Sequence, residues 1–192
     1  HELGDAENAQ HNVEEAKTRL PTDSEVFSLA GTLALEKGQL DKAEKEFSVS
    51  LECNGKNLGA VIGLGRVFAL KKEWLDSANF YIHATRAAAQ EEMALAEEVR
   101  KIGISSVAAE RKAHLVGVKK QQRRILEETR AMACFEAAIG YLNAGKRELA
   151  LDLATKAAAH PAFTKAAERL IEKIKLRLPD SSALRTAAIA PH

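Results

Sequence analysis

A 34-residue period is the strongest constraint on this chain, because a unit that short cannot bury a core alone and has to stack on copies of itself. Gly31 recurs as Gly65. Around that pair Phe27 aligns with Val61, Ala30 with Leu64, Leu40 with Trp74, Ala43 with Ser77, Phe47 with Tyr81 and Ser50 with Ala84. Inside each unit the apolar residues recur at helical spacing and break near Lys37-Gly38 and Lys71-Lys72, so each unit reads as two amphipathic helices joined by a turn. Composition points the same way. Hydrophobic residues at 46% and charged ones at 29% describe a folded chain, and aromatics at only 5% in an alanine-rich sequence favour closely packed helices over sheet.

The period extends beyond this pair. A third unit, Ala131–Thr164, carries Ala138, Tyr141, Gly145, Ala150, Ala154, Ala157 and Pro161 in register, displaced far enough from the second to leave an insert at Glu92–Arg130. One period before Ala43, Phe47 and Ser50 stand Ala9, Val13 and Ala16, followed by Pro21. Residues 5–20 thus read as the second helix of a unit whose first helix is missing, which makes the chain a piece of a longer protein or makes this helix an N-terminal cap. At the other end Thr164–Leu178 reads as a capping helix with Ala167, Leu170, Ile171 and Ile174 on one face, and residues 179–192 as a flexible tail.

The two complete units, Ser24–Asn57 and Leu58–Glu91, resemble the tetratricopeptide repeat (TPR). Its pattern of a large apolar residue, a small or aliphatic residue before glycine, and then small, aromatic and small residues in the second helix is met by Phe27, Ala30, Gly31, Ala43 and Phe47. The next unit meets it with Leu64, Gly65, Phe68, Trp74, Tyr81 and Ala84. Ser50 and Ser77 depart from it, and the third unit has Ala138 for glycine and Ala154 for the aromatic. The resemblance implies an all-α fold: a right-handed α-solenoid of helix pairs over residues 1–178, interrupted by a long helical insertion.

Between Ala84 and Asn143 there is no proline, and Gly103 with Ser105-Ser106 is the only strong punctuation. A helix capped by Ser106 and continuing into the third unit would be about 55 Å long at 1.5 Å per residue. Val118, Ile125, Met132 and Ile139 recur along it every seven residues, with Phe135 and Leu142 beside them. Such a stripe asks for a partner helix. The nearest is the extended second helix of the second unit, through Leu95, Val99 and Ile102, folded back as a hairpin across Gly103. A second chain, giving a homodimer through the long helix, is the other solution.

Catalytic and ligand chemistry find little support. The string from Gly140 to Arg147 imitates a phosphate-binding loop, but Arg147 stands where magnesium needs a hydroxyl and no strand precedes it. No histidine among His1, His11, His83, His114, His160 and His192 lies four residues from another or beside a cysteine. Cys53 and Cys134 read as small buried residues in separate helices. The paired acids Glu14-Glu15, Glu91-Glu92 and Glu127-Glu128 read as solvated helix faces, as does the basic run Lys119 to Arg124, which lacks the aromatics that stack bases. No run is long and apolar enough to cross a bilayer. Residues 1–90 carry four more acids than bases and residues 91–192 five more bases than acids, too diffuse a polarity for a nucleic-acid interface. No cofactor or metal is expected.

In the family the first helices of successive units line a concave groove. Carried over position by position, its lining is Glu25, Ser28, Thr32 and Leu35; Gly59, Ile62, Arg66 and Ala69; and Met132, Phe135, Ile139 and Leu142. Of these, Ser28, Thr32, Ile62, Arg66, Met132, Phe135, Ile139 and Leu142 are the candidate partner-binding residues. Only Arg66 is basic, which disfavours the clamping of acidic chaperone tails, and the groove turns apolar toward Leu142. The resemblance therefore implies a non-enzymatic protein–protein interaction module, part of a larger scaffold or assembly protein, taking a protein or peptide as an amphipathic segment. A structural, self-associating role for the long helix is the alternative.

Overall fold

Small residues at the aligned positions set how closely the helices approach, and the fold follows from them. The computed structural model describes residues 2–105 and 108–176. Among these the chain is all-α: α1 (Glu2–Arg19), α2 (Ser24–Glu36), α3 (Leu40–Cys53), α4 (Leu58–Leu70), α5 (Trp74–Ile104), α6 (Ala109–Asn143), α7 (Arg147–Ala158) and α8 (Thr164–Lys175). Each helix packs chiefly on the next in sequence, and α2 also touches α4, which makes the molecule a solenoid of helix pairs.

Phe47 of α3 is the wedge of the first unit. Its ring lies so close to Gly31 of α2 that a Cβ there would stand 2.6 Å from it, and a Cβ on Gly63 of α4 would overlap the same ring. Glycine at both places lets α2 and α4 close over one aromatic side chain. The two serines that depart from the repeat pattern are fully buried and use their hydroxyls. Ser50 donates to the Ser24 carbonyl at 2.7 Å, and Ser77 donates to the Gly65 carbonyl at 2.9 Å. Asn57 joins the first two units: it caps α4 by accepting from the Ala60 amide at 3.0 Å, while its Nδ2 donates to Ser24 Oγ and Glu25 Oε1. The turns after α2, α4 and α6 each contain one left-handed residue, Gly38, Lys72 and Gly145.

The insert is a helical hairpin made by the far half of α5 and the near half of α6. The reversal lies between Ile104 and Ala109, and Gly103 remains inside α5. Ser106, expected as the helix cap, and the tail 179–192 lie outside the described residues. The seam is not the expected stripe. Val118 and Ile125 are 44% and 56% exposed, whereas Leu126, Ala133 and Gly140, each one residue later, are buried. One residue turns a helix by about 100°, and small side chains decide which face wins. A Cβ on Gly140 would already stand 3.0 Å from the Trp74 carbonyl and from the Ala78 side chain, so α5 and α6 meet there nearly backbone to backbone. Leu95 and Leu126 close the hairpin core, with Ala88. Beyond it the two arms are joined by the Lys119–Glu98 ion pair at 2.7 Å.

Two surface expectations need correction. Cys53, expected to be buried, is exposed in the last turn of α3; Cys134 is buried. Glu92 does not sit on a solvated face but turns into the hairpin base, where Arg130 Nε approaches its Oε1 to 2.9 Å.

Candidate interaction surface

The first helices α2, α4 and α6 place the eight candidate residues unequally. Ser28 is 8% exposed, and its Oγ lies against Gly59, where a Cβ would meet it at 3.0 Å. Thr32 is half-buried, its hydroxyl donating to the Ser28 carbonyl at 3.0 Å. Ser28 therefore contributes to the α2–α4 junction and offers little surface. Ile62 is half-buried against the main core, and Arg66, one turn on, is exposed.

Met132, Phe135, Ile139 and Leu142 were expected as an apolar patch that either a partner's amphipathic segment or the chain's own insert would cover. All four are half-buried, and Met132, Phe135 and Leu142 pack on the core formed with α5 and α7. Phe135 leans on Phe163 with ring centres 5.9 Å apart. The chain thus half closes this stretch itself, in part through Phe163 ahead of α8.

A group that the sequence reading passed over lies among these residues. Glu136 is the one charged residue between Ala131 and Gly145, and its side chain is half-buried. Burial pushes its carboxyl above the usual range, and Arg66 across from it offsets this only in part. The Tyr81 hydroxyl is driven well above the ordinary phenol range by burial first and by the Glu136 charge second, with Arg66 opposing. Glu136 and Arg66 therefore feel one another's charge, yet no ion pair within 4.0 Å forms between them or with any other described residue. A lone charge in a run of small and apolar residues was the available signal.

The hairpin is flanked by two clefts that no sequence spacing indicates. One, of about 940 Å³, lies between α6 and the α7–α8 turn, with Thr85, Cys134, Arg124, Arg130, Lys156 and His160 in its walls. Arg130 and Lys156 are already paired, with Glu92 and Asp152. Burial pushes the Cys134 thiol up, and its Sγ is 3.8 Å from Thr85 Oγ1. The other cleft, of about 540 Å³, lies between Asn57 and the Gln90–Ala94 stretch of α5.

Gly140 belongs to helix α6 and Gly145 to the turn after it, so the phosphate-loop lookalike is a helix end. Among the described residues no three His, Cys, Asp or Glu side chains gather for a metal, and no helix is long and apolar enough to cross a membrane.

Comparison with protein-family models finds no match, and comparison with curated proteins finds none either. Among solved structures, the chain is similar to YrrB, described as a TPR protein with an unusual peptide-binding site. The identity is 17% over 84% of this chain and 81% of that one, with a TM-score of 0.39.

Proposed function

We propose that the chain is a protein–protein interaction module that takes an amphipathic segment of a partner across the surface of α4 and α6, within a larger scaffold or assembly protein. The observation that carries this reading is the run of half-buried Ile62, Met132, Phe135, Ile139 and Leu142 around the exposed Arg66. Ile62, Met132, Phe135 and Leu142 are anchored on the core, and all five side chains keep accessible apolar surface, the form a helix-in-groove site takes before its ligand arrives. Rigid anchoring lowers the ordering cost of binding. The experiment is affinity capture from the source cells with the wild-type chain and with an Arg66→Glu, Ile139→Asp double variant that keeps its helicity. Partners held by the first and lost by the second support the reading; an unchanged set of partners contradicts it.

A second reading has one observation in its favour. Val118 and Ile125 point outward from α6, two turns apart, on a helix free along much of that face. Self-association through them would double the mass seen by light scattering at high concentration, and Val118→Glu with Ile125→Glu would restore the monomer.

A further inference from the structure

Glu136 is half-buried among small and apolar residues, and among the described residues its carboxylate holds no ion pair within 4.0 Å; the Arg66 charge reaches it from α4, and Arg66 holds none there either. A carboxylate taken partly out of water with no counter-ion in contact is a costly arrangement. The neighbouring charges elsewhere in the molecule are handled otherwise: Glu92 has Arg130, Glu98 has Lys119, and Glu46 has Lys17 at 2.7 Å. In the cleft beside α6, Arg130 and Lys156 are likewise neutralised within the chain.

We propose that the partner segment presents a lysine or arginine side chain to Glu136 and seats a neighbouring apolar side chain against Ile139. This rests on the groove reading above and deepens it by naming the partner's chemistry. Ile139, half-buried like Glu136, lies one turn from it on α6, so the acceptor for the cation and the apolar seat lie side by side along one helix. A bound cation would supply the counter-ion that Arg66 supplies only at a distance, and docking would dry the site and strengthen that pairing. Arg66 guards register: a basic residue shifted toward α4 meets it and is repelled.

The test is selection of displayed random 16-residue peptides on the full 192-residue chain, and in parallel on Glu136→Gln, an isosteric change that removes a charge from a half-buried place. Binding to Arg66→Glu, Ile139→Asp identifies peptides that use this surface. The expected result is surface-dependent peptides in which one basic residue beside an apolar one is enriched on the wild type and not on Glu136→Gln. Their affinity should fall about tenfold or more on that variant, the worth of a charge-assisted hydrogen bond. Surface-dependent peptides without a basic preference, or with the same preference on both proteins, overturn this inference and leave the groove reading standing. Recovery of no surface-dependent peptide overturns both.

Discussion

Phe47 shows how single residues set the spacing of the whole array. It occupies the volume that side chains at Gly31 and Gly63 would fill, so Gly63→Ala has no room to relax without moving α4 off α3. We expect a loss of about 1–3 kcal/mol in urea unfolding, the usual cost of overpacking, with the denaturant slope unchanged. Glu136 gives a prediction with a pH signature. Its folded-state carboxyl titrates above the ordinary glutamate value of 4.5 because burial penalises the charge. The native state thus holds the proton longer than the unfolded state, and stability falls as pH rises from that value through the raised one. Glu136→Gln should melt higher than the wild type at pH 7, and the gain should vanish below about pH 4; a gain independent of pH would show that the charge is not its source. Small residues such as Gly31, Gly65 and Ala43 were legible because a period marks them. Glu136 was not, since its meaning depends on Arg66, seventy residues away along the chain.

At the scale of elements, the hairpin is the least supported part of the array. Its own core is Ala88, Leu95 and Leu126, with Leu58 of α4 packed against it, and past Leu126 toward the turn the described residues of α6 include no fully buried side chain. Leu126→Ala should cost ~2–4 kcal/mol locally and raise amide exchange across residues 92–126 while leaving α2–α4 and α7 protected. Uniform loosening of all helices would show instead that the hairpin and the repeats unfold as one unit. The existence of the hairpin and its partner helix could be read from the sequence, because a proline-free, apolar-striped stretch has to find a neighbour. Its register could not. Ile125 and Leu126 are both apolar, both lie on seven-residue ladders, and only the small Ala133 and Gly140 of the second ladder allow α5 to approach.

Over the whole molecule the packing proceeds in chain order, so each helix pair sees mainly its neighbours and the long insert is accommodated by lengthening two adjacent helices without breaking the stack. This explains why the all-α solenoid was legible from the 34-residue period and the family resemblance it carries. The degree to which α6 closes its own apolar patch was not, because Phe163, which shields Phe135, follows Pro161 in a turn that carries no repeat signal. Two candidate surfaces result, the α4–α6 face and the outward face of the hairpin. Amide-exchange footprinting of the chain with a surface-dependent selected peptide bound separates them most directly. The account predicts new protection in α4 and in residues 131–143 of α6, centred on Arg66 and Glu136, with the hairpin unchanged; protection confined to residues 92–126 would contradict it.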